Sequence, residues 1–296
     1  MTTGPTADEQ SAPPVSAAPS LVLVATPIGN LSDLSARALE VLARADTICC
    51  EDTRRTRALL SATGLPAGVG RLLSLHEHNE RSRIPQVLAR LAQGQTVAVV
   101  TDAGTPGISD PGSALVAAAI EAGVLVTAVP GPSAVVMALI VSGLPTDRFC
   151  MEGFLPKKGG DRTRRLAALV AEERTTVILE APGRLAQTLV QLAEALGDRP
   201  VAVARELTKL HEEVWRGTLP AAAATFGRRD VRGEVVIVLG GASPPGPVDD
   251  QAVEAAVRQR LIAGDGPRQA AVFVAEALGV PRRRAYETAL DLRDDR

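Results

Sequence analysis

The sequence is poor in aromatic side chains, lysine and cysteine, and it has almost no excess of either charge. Aromatics make up 2% of the 296 residues, which argues against RNA recognition by stacked aromatic platforms. Of 32 basic residues only Lys157, Lys158 and Lys209 are lysine, and none precedes residue 157. No G-x-x-x-x-G-K-[ST] loop and no G-x-G-x-x-G fingerprint occurs, so neither way of cradling nucleotide phosphates is expected. Three cysteines, Cys49, Cys50 and Cys150, cannot build a disulfide framework or a four-ligand zinc site. No metal-ligand cluster is visible, and the cysteine usage fits a reduced, cytoplasmic compartment. The formal net charge is −2, which excludes a uniformly basic nucleic-acid binder. No apolar run reaches membrane-spanning length. Residues 1–20 are rich in Pro, Ser and Ala and lack a basic start and an apolar centre. They read as a disordered leader, not a signal peptide.

What is present is 46% hydrophobic residues in a regular alternation. Strand-length apolar runs at Leu21–Ala25, Thr47–Cys50, Leu72–Ser74, Val97–Thr101 and Val124–Val129 alternate with amphipathic stretches of helical spacing. That alternation predicts an α/β fold with a mainly parallel sheet covered on both faces. After the break Gly143-Leu-Pro145, a second α/β unit follows, with strands predicted at Arg148–Gly153, Thr176–Glu180 and Val201–Arg205. His211–Gly217 and Glu234–Gly240 have the character of a hairpin. The expected organisation is a leader (1–20), an N-terminal α/β domain (21–145) and a second α/β domain (146–241). A Pro/Gly linker (242–248) and a helical appendix (249–296) complete it.

In open parallel sheets ligands bind beyond the carboxyl ends of the strands. Three Gly/Pro loops fall there: Thr26-Pro-Ile-Gly-Asn30, Asp102–Gly112 and Pro130-Gly-Pro-Ser-Ala134. Glycine admits close backbone approach and proline sets the loop in advance. A ligand without phosphates, held by backbone groups and one or two carboxylates, suits such loops, and S-adenosylmethionine is one.

The blocks Ala25–Asp33, Glu51-Asp-Thr-Arg54, Leu75–Glu80, Asp102-Ala-Gly-Thr-Pro106 with Ser109-Asp-Pro-Gly112, and Pro130-Gly-Pro-Ser133 occur in this order. Glu152–Pro156 and Ala204–Glu213 follow them. In this order and spacing they resemble the 16S ribosomal-RNA ribose methyltransferases of the tetrapyrrole (corrin/porphyrin) methylase superfamily, over residues 21 to about 240. The resemblance implies two domains with S-adenosylmethionine in the cleft between them, usually in a homodimer. The implied reaction is 2′-O-methylation of a decoding-centre cytidine in 16S rRNA of the small ribosomal subunit. Carried over by motif, Pro27, Asp102, Gly104, Thr105, Ile108, Ser109, Asp110, Ser133 and Ala134 would line the donor from the first domain. Phe154, Arg205, Glu206 and Leu207 would do so from the second. The chain departs from the pattern at Gly183, where relatives commonly have His, and at Arg232, where Lys is usual.

A ribose hydroxyl is a weak nucleophile, so a general base is expected. His78, Glu80 and Asp52 are the candidates; Asp52 also sits where a helix cap would. Arg54 and Arg55 beyond it, and Lys157, Lys158, Arg162, Arg164 and Arg165 after Pro156, are candidates to hold RNA phosphates. In the appendix the Gly279-Val-Pro281 turn has helix-turn-helix proportions. Arg282, Arg283 and Arg284 crowd the next helix start, where the dipole disfavours cations but a phosphate would be welcome. A precorrin or uroporphyrinogen methylase, and a non-catalytic ribosome-assembly binder, remain the alternative readings.

Overall fold

A computed structural model describes residues 19–66, 68, 70–242 and 249–294. The expected leader up to residue 18 and the expected linker from residue 243 lie outside the described residues. The described residues up to Ala242 form one compact unit and those from 249 onward a second.

The first sheet is wholly parallel. Its strands β1 (Ser20–Val24), β2 (Thr47–Cys50), β3 (Leu72–Ser74), β4 (Val97–Val100) and β5 (Leu125–Val129) run in the order β3-β2-β4-β1-β5. Helices α1 (Ala36–Arg44), α2 (Thr53–Ala62), α3 (Glu80–Ala92), α4 (Ser113–Glu121) and α5 (Ala134–Ser142) follow the strands in turn. Strands β2 and β4 are buried along their whole length, which is why they read as unbroken apolar runs. Their side chains alternate: Ile48, Cys50, Ala98 and Val100 pack with Val41, Leu42 and Leu60 on one face. Cys49, Val97 and Val99 pack with Val87, Leu91 and Leu115 on the other. Each fully buried Leu or Ile of this kind contributes about 1.5–3 kcal/mol. Burial pushes the Cys49 thiol up to about 12, so it stays protonated and takes no part in nucleophilic chemistry.

The second sheet is mixed. Strands β6 (Phe149–Phe154), β7 (Thr175–Glu180), β8 (Pro200–Arg205), β9 (Glu213–Thr218) and β10 (Val235–Leu239) run in the order β6-β7-β10-β8-β9, and only β6 and β7 are parallel. The expected pairing of the last two segments does not form. β9 pairs with β8, and β10 inserts between β7 and β8. The reason lies in composition: Val-Val-Ile-Val-Leu is buried at every position and needs neighbours on both sides, whereas β9 is only partly buried and suits an edge. Helices α6 (Gly160–Val170), α7 (Leu185–Leu196) and α8 (Leu219–Phe226) cover one face through Leu169, Leu185, Leu189, Leu192 and Phe226. The other face is covered by α5: Val135, Ala138 and Leu139 pack against Val177, Ala202, Ala204 and Val236, with Ile28 among them. Helix α5 leaves the first sheet and docks on the second, so it joins the two halves of this unit.

The second unit contains α9 (Asp250–Ile262), α10 (Pro267–Leu278) and α11 (Arg282–Asp294) around Val253, Val257, Ala271, Val274, Val280, Ala285 and Ala289. Gly279 is left-handed at φ +65° and ends α10, as glycine at this position commonly does. Among the described residues no helix is long and apolar enough to cross a membrane.

Candidate active site

The parallel order brings the loops after β1, β2, β4 and β5 to one edge, where they are stitched together. Thr26 and Gly104 exchange backbone hydrogen bonds at 2.9 and 3.1 Å, and the Thr26 hydroxyl donates to the Thr101 carbonyl at 3.2 Å. Thr105 Oγ1 donates to the Pro132 carbonyl at 3.0 Å. The Asp52 amide donates to Asp102 Oδ1 at 3.1 Å. Gly104, Gly107 and Gly112 have φ of +86°, +82° and +132°, and Ser109 has +60°. A non-glycine residue in the left-handed region is strained, and here it stands in the middle of the loop after β4. The close approach behind Gly131, where a Cβ would lie 3.0 Å from Ala25 Cβ, explains that glycine too.

This edge faces the second sheet across a cavity of about 440 Å³, within the ~300–1,000 Å³ range of small-molecule sites. Asp102, Gly104, Thr105, Ile108, Ser109, Asp110, Ser133, Ala134 and Phe154 line it, nine of the residues named from the sequence. Pro27 instead lines a neighbouring cavity of about 210 Å³, with Thr26, Gly29 and Leu31. Arg55 and Asp102 line both cavities and pair with each other at 3.4 Å.

The opposite wall differs from expectation. Arg205, Glu206 and Leu207 do not line the cavity. Arg205 pairs with Glu213 at 3.0 Å. Glu206 accepts from Lys209 at 2.9 Å and from the Glu234 amide at 3.0 Å. Leu207 is buried beside Ile28 and Val135. The wall comes from Leu179–Pro182 at the end of β7 and Gly233–Val236 at the start of β10. The central place of β10 displaces the end of β8 by one strand. No local signal in the sequence marks this, because the order in which the strands pair decides it.

The candidate bases are not brought together. His78 is exposed, stacks edge-on with His76 at 6.0 Å, and is not among the lining residues. Glu80 is buried, and its Oε1 accepts from the amides of Gly112 at 3.1 Å and Leu115 at 3.0 Å. It caps α4 from a neighbouring helix, a structural task that occupies the carboxylate. Asp52 caps α2 through the Arg54 amide at 2.8 Å. The Arg54 guanidinium and amide hold its carboxyl down to about 2, too acidic for efficient proton abstraction near neutrality.

Among the basic residues, Arg162 is corrected most sharply. It is buried and donates to Gln191 Oε1 (2.7 Å), the Pro156 carbonyl (2.9 Å) and Thr188 Oγ1 (2.8 Å). Thr188 passes the network to the buried Glu180 at 2.6 Å. Arg162 therefore ties α6 to α7 and is not presented to RNA. Arg165 pairs with Glu152 at 3.0 Å and Arg164 with Asp161, both on exposed arginines, while Lys157 and Lys158 are exposed. In the second unit Arg282 pairs with Glu276, Arg283 with Glu287 and Arg284 with Asp250. The cations crowding that helix start are thus balanced by carboxylates of the same unit, which removes the argument that they await a phosphate.

Five carboxylates line the cavity: Glu51, Asp102, Asp110, Glu180 and Glu234. Burial, followed by the negative charge of Glu51, pushes the Asp110 carboxyl up to about 6. No group of His, Cys, Asp and Glu suited to a metal ion is found among the described residues. The arrangement suits a cationic small molecule, met by carboxylates on one side and by glycine-rich backbone on the other.

A two-sheet fold whose glycine-rich loops open on such a cavity defines a class of small-molecule-binding proteins. Residues 20–223 match the model of the tetrapyrrole (corrin/porphyrin) methylases, and the chain belongs to that family. Its methyl donor is S-adenosylmethionine, and the cavity's carboxylates and open backbone fit a sulfonium carrying an amino group. A relative from Synechocystis sp., named ribosomal RNA small subunit methyltransferase I, is 45% identical over 93% of this chain and 99% of its own length. A relative of the same name from Mycobacterium tuberculosis is 47% identical over 92% and 95%. Among solved structures, a uroporphyrin-III C-methyltransferase from Thermus thermophilus has a TM-score of 0.53 at 20% identity, covering 75% of this chain and 94% of its own. That likeness concerns the fold.

Proposed function

We propose that this protein methylates the 2′-hydroxyl of a cytidine ribose in the decoding centre of 16S rRNA, within the small ribosomal subunit, and that it acts in the cytoplasm as a homodimer. The observation that carries the reading is the carboxylate-rich cavity built from the loops after β2, β4 and β5. The names and high identity of the relatives support ribosomal RNA as the acceptor.

When bound, S-adenosylmethionine supplies an electrophilic methyl carbon on a sulfonium. The residues of this chain do the rest. Methyl transfer demands in-line positioning above all, and the hydrogen bonds between the three loops hold them in place beforehand. Asp102 and Glu234 meet positive charge while each keeps a basic neighbour, Arg55 and Lys209. Ser133 caps α5 by accepting from the Val136 amide and fixes the loop that carries Ala134. Lys157 and Lys158, exposed and outside any ion pair among the described residues, steer the RNA backbone, with an affinity that falls as salt rises. Helix α5 is apolar nearly all round, and Val136 and Ile140 are exposed on it one turn apart; such a helix suits a second copy of the chain.

Incubation with tritiated S-adenosylmethionine and small subunits that lack the modification tests the reading, beside a uroporphyrinogen control. Label should enter the subunit RNA, and nucleoside digestion should find it on a cytidine ribose. Label on the tetrapyrrole alone, or on neither acceptor, rejects it.

A further inference from the structure

Of the five carboxylates that line the cavity, three have basic partners: Asp102 with Arg55 at 3.4 Å, Glu180 with Arg184 at 2.5 Å, and Glu234 with Lys209 at 3.1 Å. The remaining two, Glu51 and Asp110, form no ion pair among the described residues. They come from different loops, after β2 and after β4, and open on the same space. Asp110 follows the strained Ser109 and precedes Pro111 and the left-handed Gly112, so its backbone is held from both sides. Its carboxyl also has a hydrogen-bonding neighbour in the side chain of Thr101, at the end of β4. The groups read from the sequence as bases are elsewhere or engaged: His78 lies off the cavity, Glu80 caps α4, and Asp52 is paired with Arg54.

We propose that Asp110 is the catalytic residue that accepts the proton of the acceptor hydroxyl, and that Glu51, the unpaired carboxylate beside it in the cavity, tunes its basicity. This rests on the reading that a ribose hydroxyl is the acceptor. The 2′-oxygen forms its bond to the methyl carbon as that carbon's bond to sulfur breaks, with the electron pair kept by sulfur. The hydroxyl proton passes to the Asp110 carboxylate and from there to water. No further reactant is needed. The charged groups facing Asp110 are Glu51 from the loop after β2, Asp102 from its own loop and Glu234 from the start of β10. All three are negative, and all three favour its protonated form. The nearby cation, Arg55, is paired with Asp102 at 3.4 Å. Burial first, and these negative charges after it, push the Asp110 carboxyl up to about 6, in the range where a base is both ionised and effective near neutrality.

The test is a single-turnover pH profile on small subunits at saturating donor, joined to a carboxyl-carbon NMR titration of the donor-free protein labelled at aspartate. In the donor-free wild type one aspartate should titrate near 6, and the rate should fall on the acid side with an inflection at or below that value, since a bound sulfonium favours the ionised carboxylate. At a donor concentration that calorimetry shows to saturate the variant, Asp110→Asn should lower the rate about 10²–10⁴-fold, remove the acid limb and delete that resonance. Asp110→Glu should restore part of the rate. Glu51→Gln should move both the limb and the resonance to lower pH, because a neighbouring negative charge has been removed. An acid limb that stays in place in Asp110→Asn overturns the proposal, as does an aspartate resonance that Glu51→Gln leaves unmoved. If the wild type methylates a base and not a ribose, the underlying reading fails as well, and the nucleoside digest distinguishes the two failures.

Discussion

The two walls of the cavity are built on opposite principles. The first belongs to a parallel sheet, in which every strand ends at the same edge, so its cavity-lining residues all follow strands: Asp102–Asp110 after β4, Ser133 and Ala134 after β5. The second belongs to a mixed sheet, in which neighbouring strands run in opposite directions. There the same edge carries the end of β7 and the beginning of β10. In the parallel half the rule that ligands lie beyond strand ends locates the wall. In the mixed half half of the wall precedes a strand, and the pairing order must be known before it can be found.

The supports behind the walls differ as well, and removing them tests the comparison most severely. Behind the mixed sheet, Arg162 holds α6 to α7 through three acceptors and, by way of Thr188, the buried Glu180. Arg162→Ala should cost roughly 3 kcal/mol, read from the urea midpoint, because buried acceptors lose a charged donor. A change in RNA affinity with unaltered stability would return Arg162 to the RNA surface. Behind the parallel sheet, Glu80 caps α4 just beyond the glycine-strained loop. Glu80→Ala should cost about 2 kcal/mol, a lost cap plus two unsatisfied amides. Turnover of the folded fraction should fall less than about tenfold, whereas loss of a base costs about 10²–10⁴. A base-sized loss at unchanged stability would contradict the capping role.

The walls themselves can be compared through the donor. Gly104 is left-handed at φ +86°, and a Cβ there would sit 3.4 Å from Ile28 Cγ2. Space is adequate; the backbone is the obstacle, since a β-branched residue resists this conformation by about 1–3 kcal/mol. Gly104→Val should reorganise the loop and weaken S-adenosylmethionine about tenfold or more in calorimetry, an effect of roughly 1.4 kcal/mol. Phe154→Ala, on the other wall and 57% exposed, should weaken it only a few-fold. The reverse order would mean that the mixed sheet carries the donor.

A last effect concerns stability against pH. The Asp110 carboxyl, ordinarily at 3.8, stands at about 6 in the folded chain. Between those values the folded state holds a proton that the unfolded state releases, so the wild type loses stability as pH rises through the window. Asp110→Asn escapes the loss. Its melting temperature relative to wild type should climb from pH 4 to 6 and then level off. A difference that stays flat with pH would show that Asp110 is not raised.

Much of this was legible before any coordinates. The apolar runs of β2, β4 and β10 and the three Gly/Pro loops are local signals, set by period, composition and backbone freedom. One cap was legible too: Asp52 stands where α2 begins. The charged residues were not. Glu80, Arg162 and Asp52 have the same side chains as a base or a phosphate clamp would have. Whether a carboxylate meets backbone amides, a guanidinium or open cavity depends on residues tens of positions away, such as Gly112 for Glu80 and Thr188 for Arg162.

By itself, then, the sequence determined the two α/β halves, the helical appendix and the cavity-lining loops of the parallel sheet, because strand and helix periods and the need for glycine at positive φ act over a few residues. Only the tertiary structure decided the insertion of β10, the second wall and the fate of each charge. Those depend on which strands become neighbours and on how desolvation and partners divide the carboxylates of one cavity, leaving Glu51 and Asp110 without a cation while Asp102, Glu180 and Glu234 have theirs.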